Sequence, residues 1–174
     1  MAHGRTGPDI VQNTRYASYS SIRAMEDHEL NRTPDGSSAI DPSRIHLNQV
    51  LVGPRTQQDA LDALFESGVQ KPAKQSEAPF VQMVLSASPS YFRDEGQGPG
   101  EWNPEKLDAW VESTMTYLKD NFGSDVIHVA LHLDEDTPHL HVLIAPTYEK
   151  KPRVPGKQKR NETDEEFAAR KEAA

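Results

Sequence analysis

Apolar residues recur along the chain at two different spacings, and the spacing sorts its segments. Leu107, Trp110, Val111, Met115, Leu118 and Phe122 fall at three- and four-residue steps, which predicts a helix over 104–122 with one apolar face. Asn103 suits the N-cap, Pro104 the first helical position, Glu105 the positive end of the dipole and Gly123 the C-terminal stop. Beyond Gly123 the period drops to two. Over 126–134, His128, Ala130 and His132 alternate with Ile127, Val129 and Leu131. Over 139–145, His139, His141 and Leu143 alternate with Leu140, Val142 and Ile144. The short connection from Asp134 to Pro138 makes these two strands an antiparallel hairpin.

The remaining pattern is weaker. Residues 80–87 read as a buried strand, and 47–52 as another that Gly53-Pro54 ends. A helix is expected over 20–32, capped by Ser20 or Ser21, with Ile22 and Met25 inward and Pro34 closing it. A second is expected over 56–67, with Leu61, Leu64 and Phe65 inward. Residues 1–12 are polar, 33–44 and 69–79 read as connections, and 88–102, with its Gly and Pro, as a flexible surface loop. The tail reads as a helix from Glu162 to Ala174. The fold class that follows is α+β: an antiparallel sheet with helices on one face.

Composition bounds the rest. The chain of 174 residues contains no cysteine, which excludes disulfides, thiolate metal sites and a cysteine nucleophile. No apolar run reaches membrane-spanning length, so a cytoplasmic protein is the expectation. The net charge of −8 argues, taken whole, against a nucleic-acid partner. Its distribution changes that picture. Residues 1–55 sum to zero with Arg as their only basic type, 56–150 carry −10, and 151–174 carry +2. The dense basic run lies at 150–160, where Pro and Gly make it an extended linker.

The hairpin carries the candidate chemistry. Residues two apart on a strand share a side, so His139 and His141 project together, and His132 meets them if the turn keeps register. Three neutral imidazoles with open positions suit a catalytic divalent ion better than a closed structural site. Asp134 and Glu135 stand at the rim as a further ligand, a carboxylate behind a ligand or a general base. His128 shares the parity of His132 but reads as a sheet-face residue, and His3 and His46 receive no role.

The segment His132-x-Asp134-Glu135-x-x-Pro138-His139-x-His141 resembles the metal motif of the Pre/Mob (MobV) plasmid mobilisation relaxases. These belong to the nucleases named for a His–hydrophobic–His pair, the HUH endonucleases. The stretch from His28 to Arg32, followed by Asp41-Pro42-Ser43-Arg44 and Asn48, is similar to the family's N-terminal block, and the resemblance covers roughly 15–148. It implies a catalytic domain over 1–148, then a basic linker and the start of a C-terminal helix over 149–174, trimmed from a longer bacterial protein. It implies nicking of one strand at a plasmid origin of transfer by transesterification, with the enzyme joined to the 5′ phosphate. The DNA would be single-stranded or supercoiled. The metal ligands fall on His132, His139 and His141, with Mn²⁺ or Mg²⁺ as the ion. Glu135 takes the motif carboxylate, His28 the nucleophile, and Arg32 and Arg44 phosphate contacts. Self-association would run through the missing C-terminal region. The family's first strand is an apolar-basic run, whereas 11–20 is polar here, and Tyr16 and Tyr19 stand as alternative nucleophiles.

Three competing readings accompany this one. A replication-initiator-type endonuclease would carry its nucleophile after the His pair, where only Tyr148 is found. A small-phosphoester hydrolase would cleave without an adduct. A non-catalytic DNA-binding remnant would bind without nicking.

Overall fold

The computed structural model describes residues 11–30, 40–73, 76–147 and 156–173, apart from the side chains of 26–29. In chain order the elements are β1 (Val11–Ala17), α1 (Tyr19–Leu30), β2 (Gln49–Val52), α2 (Gln57–Glu66), β3 (Phe80–Ser86), α3 (Pro89–Phe92), α4 (Pro104–Phe122), β4 (Val126–His132), β5 (His139–Ile144) and α5 (Asp164–Glu172). Short 3₁₀ segments, Pro42–Leu47 and Gly123–Asp125, lead into β2 and β4. The strand expected over 47–52 therefore begins two residues late.

The five strands form one antiparallel sheet in the order β1-β3-β5-β4-β2. The expected hairpin is at its centre. Leu131 pairs with Leu140, Ala130 with His141 and His132 with His139. Paired residues share a face. One face carries Leu85, Val129, Leu131, Leu140 and Val142, and α4 packs on it through Leu107, Trp110 and Leu118. Phe92 of α3 meets Trp110 edge-on, with ring centroids 5.2 Å apart, an arrangement that adds about 0.5–1.5 kcal/mol to area burial. The other face carries Ala17, Phe80 and Leu143, which pack against Ile22 of α1 and Leu61 of α2.

Helices thus cover both faces, which corrects the expectation of a single covered side. The cause is in the strands: Leu140 and Val142 make one face of β5 apolar, and Leu143 makes one end of the other face apolar as well. The rest of that second face is given to the histidines. Strict alternation also breaks once. A register shift between Val126 and His128 leaves Ile127 packing with the Leu143 cluster, not with Val129 and Leu131.

The caps follow the sequence. Asn103 Oδ1 accepts from the backbone N–H groups of Glu105 (2.9 Å) and Lys106 (3.2 Å), and Gly123 ends α4 at φ +53°. Thr56 caps α2 by accepting from Asp59 N–H at 3.1 Å. β1 forms despite its polar sequence because it is an edge strand: among the described residues it pairs only with β3, and Ala17 is its one buried residue. The 88–102 stretch is more ordered than expected. It contains α3, and Gly100 N–H donates to Asp136 O at 2.9 Å. Helix α5 has a capping box between Thr163 and Glu166 but buries no residue. No described helix is long and apolar enough to cross a membrane.

Candidate metal centre

The pairing of β4 with β5 puts three imidazoles on one face at the turn end of the hairpin. Ring centroids are 4.5 Å apart for His132 and His141, 5.0 Å for His139 and His141, and 5.2 Å for His132 and His139. One ligand nitrogen from each lies within 4.8 Å of the others, and the same holds for His132 with carboxylate oxygens of Asp134 and Glu135. His132 and His139 are buried, Asp134 is fully buried, and Glu135 is half-buried.

Two contacts define the chemistry. His139 Nδ1 lies 3.0 Å from the Thr137 carbonyl, which can only accept, so Nδ1 carries the ring proton and Nε2 offers its lone pair. That Nε2 lies 3.2 Å from His141 Nε2. Two ligands at about 2.0–2.1 Å from one ion sit roughly 3–3.5 Å apart, so the separation matches a shared cation. Glu135 Oε1 is 3.8 Å from the same His139 nitrogen. The residues present fit a divalent ion: neutral nitrogens from three histidines, two carboxylates beside them, and a ligand whose second nitrogen is fixed by a backbone carbonyl.

The other expected residues sort by face and by distance. His128 is on the same face as the cluster but fully buried near Pro54 and Asp59. Loss of hydration pushes its pKa down to about 4, against the pull of the Pro54 carbonyl and the Asp59 charge. The expected sheet-face residue is thus a fully buried core imidazole. Tyr16 pairs with Val81, whose partner is Ile144, so it lies on the α4 face, opposite the three histidines. The parity of β1 sets this side. Tyr19 stacks edge-on with Phe80, centroids 5.0 Å apart, and burial raises its pKa. Phe80 is four residues along β3 from Val84, the partner of His141, or roughly 13 Å at strand rise. Tyr19 is therefore a packing residue at the wrong end of the face.

Arg44, expected as a phosphate contact, is turned inward. Its Nε donates to Asp41 Oδ2 at 2.9 Å, and one terminal nitrogen donates to the carbonyls of Gly100 (2.9 Å), Leu133 (3.1 Å) and Glu135 (3.1 Å). These contacts make it a hold on the hairpin. The His28 side chain, Arg32 and Tyr148 lie outside the described residues. Sequence reasoning missed Asn13 and Arg15, which line a cavity of about 370 Å³ with Met25, Gln57, Gln82 and His141. Arg15 Nε donates to Gln82 Oε1 at 3.0 Å. The parity of Asn13, Arg15 and Ala17 was the available signal, hidden by the polar character of the strand.

Comparison with known proteins agrees with this geometry. A family model described as plasmid recombination enzyme matches residues 9–173. A plasmid recombination enzyme of Lactiplantibacillus plantarum is 29% identical over 132 residues, covering 72% of this chain and 35% of that protein. A 65 kDa protein of Zymomonas mobilis subsp. mobilis is 25% identical over 141 residues, covering 79% of this chain and 23% of its own length. The chain thus spans about a third or less of those relatives. Among solved structures, the Mn-bound MobM relaxase domain in complex with plasmid pMV158 oriT DNA at pH 6.8 superposes with a TM-score of 0.64 at 21% identity, over 88% of this chain and 78% of that one. That likeness shows the fold.

Proposed function

The chain belongs to the plasmid recombination enzyme family, and from that premise we propose that it is the catalytic part of a metal-dependent relaxase, which nicks one DNA strand at a plasmid origin of transfer. The observation that carries the reading is the convergence of His132, His139 and His141, with Asp134 and Glu135, on one face of the central hairpin. The oriT DNA and manganese bound by the MobM relaxase domain, whose fold this chain shares, are consistent with it.

His132, His139 and His141 would hold Mn²⁺ or Mg²⁺, and the ion would supply Lewis-acid polarisation of the scissile phosphate. The Thr137 carbonyl keeps the His139 lone pair aimed at the site. Glu135 takes the catalytic carboxylate role, accepting from the nucleophile's ring so that the attacking nitrogen is unprotonated. His28 is the proposed nucleophile, since a neutral imidazole is available near pH 7. Met25 of α1 lines the cavity beside His141, and position 28 falls one turn further along the same side of that helix. In the step proposed, a bond forms between the imidazole nitrogen and the phosphorus. The bond from phosphorus to the 3′ oxygen breaks, and that oxygen leaves as a hydroxyl after taking a proton from solvent. Arg15, which lines the same cavity as His141, would meet the DNA backbone in this reading, and Arg32, outside the described residues, takes the same role from the family resemblance alone. The setting is the bacterial cytoplasm, and self-association would use parts of the relatives that this chain does not span.

The test is nicking of a supercoiled plasmid carrying a candidate origin, with Mn²⁺ or with EDTA, read on a denaturing gel for the protein–DNA adduct. Metal-dependent nicking with an adduct that His28→Ala abolishes, while Mn²⁺ binding persists, supports the reading. Origin binding without nicking identifies a DNA-binding remnant, and cleavage of a model phosphodiester without an adduct identifies a hydrolase.

A further inference from the structure

The six residues between β4 and β5 carry both carboxylates of the candidate site, and nothing in their own sequence explains how they hold one shape. Their backbone is tied down carbonyl by carbonyl. The carbonyls of Leu133 and Glu135 accept from Arg44, and that of Asp134 accepts from Asp41 N–H at 2.7 Å. The Asp136 carbonyl accepts from Gly100 N–H at 2.9 Å and from Arg93 at 2.6 Å. The Thr137 carbonyl accepts from His139 Nδ1, and that of Pro138 from Ser86 Oγ at 2.8 Å. The Leu133 N–H donates to Asn48 Oδ1 at 2.7 Å. Every carbonyl from Leu133 to Pro138 is thus engaged.

Three of those ties, and the one on Leu133 N–H, come from residues 41–48, which sit roughly ninety residues earlier in the chain. We infer that Arg44 and Asn48 are positioning residues of the metal centre, which hold the 133–138 turn in its ligand-presenting shape before an ion binds. This rests on the metal reading above. Arg44 is suited to the task because a guanidinium presents several fixed N–H groups in one plane, whereas an ammonium is a single point. Asp41 anchors its other edge, and Ser43 and Arg44 hold that carboxyl ionised. Gly100 is shaped around the same guanidinium. It has φ +77°, and a Cβ there would come within 2.5–2.6 Å of Arg44. Groups behind metal ligands commonly change metal affinity 10–100-fold when removed.

Mn²⁺ binding to the full chain, stripped of metal and followed by the loss of the free-ion electron paramagnetic resonance signal, tests this directly. The titration is run well below the unfolding midpoint of each variant, as measured by circular dichroism. Arg44→Ala and Arg44→Lys should each weaken Mn²⁺ binding about 10–100-fold. Asn48→Leu should weaken it about 10-fold, while Asn48→Asp, which keeps the acceptor, should restore near-native affinity. Gly100→Ala should reproduce the Arg44 effect without removing a charge. If Arg44→Ala does not fold, Asn48→Leu and Gly100→Ala decide the question. Variants that unfold at lower temperature yet bind Mn²⁺ as tightly as the parent, with an unchanged bound spectrum, would overturn the positioning role and leave a structural one. Failure of the parent chain to bind Mn²⁺ would overturn the metal reading itself.

Discussion

The two faces of the β4–β5 hairpin are built from one alternating pattern and come to opposite ends. On one, Leu131, Leu140 and Val142 disappear under α4 into a mainly apolar core. On the other, one residue out of step, His132, His139 and His141 converge with two carboxylates. The first face depends on volume and shape, since its contribution comes from close packing. The second depends on direction, since a ligand nitrogen pointing the wrong way contributes nothing. Errors should therefore separate: damage to the α4 face lowers stability and spares affinity, and damage to the His face does the reverse.

Trp110→Ala makes the largest break. Trp110 is fully buried and touches Phe92, so its loss should cost about 3–5 kcal/mol in urea unfolding, a large part of a typical domain's stability. Mn²⁺ affinity of the fraction that stays folded should be unchanged. Next comes His139→Ala, which should weaken Mn²⁺ binding by more than about 100-fold with little change in metal-free stability. Metal itself sharpens the contrast: free Mn²⁺ at about 100 times its dissociation constant should add about 2.7 kcal/mol to the parent's stability, and EDTA should remove it. In His139→Ala that increment should vanish at the same concentration.

His128 marks the boundary between the faces, a histidine treated as core. Its folded pKa of about 4 is below the ordinary value near 6.5, so its neutral form is favoured by folding. Its contribution is full above about pH 6.5 and is lost as pH falls toward 4, because the unfolded chain takes up the proton first. Unfolding free energy measured against pH should fall across that window, and His128→Leu should flatten the fall. An unchanged slope would place the acid sensitivity elsewhere. The smallest effect belongs to Tyr16→Phe. Tyr16 is 80% exposed on the far face, so stability should move by less than about 0.5 kcal/mol and adduct yield should not change. Loss of the adduct in that variant would return the nucleophile to tyrosine.

What the sequence made legible follows from which signals are local. Helix α4 was legible because stripe and caps agree within twenty residues, and the three histidines were legible because strand parity alone brings them together. β1 was not, because an edge strand needs no apolar alternation. The second covered face was missed because Ile22, Leu61, Phe80 and Leu143 come from four separate elements, and no spacing relates them. The contacts of Arg44 were hidden for a similar reason. An arginine in a loop looks the same whether it faces phosphate or three carbonyls more than fifty residues away.

The strand order also sets a schedule for the chain as it leaves the ribosome. The hairpin closes between neighbours, but Val84 must find His141, and Val50 must find Ala130 about eighty residues on. Pairings that distant close slowly, since the loop between them must be ordered first. Residues 41–48 therefore emerge long before the turn they grip, and wait for it. A site assembled this way comes into being all at once and late, so a ribosome stalled before residue 139 would release a sheet with no hairpin to complete it and no means of holding an ion.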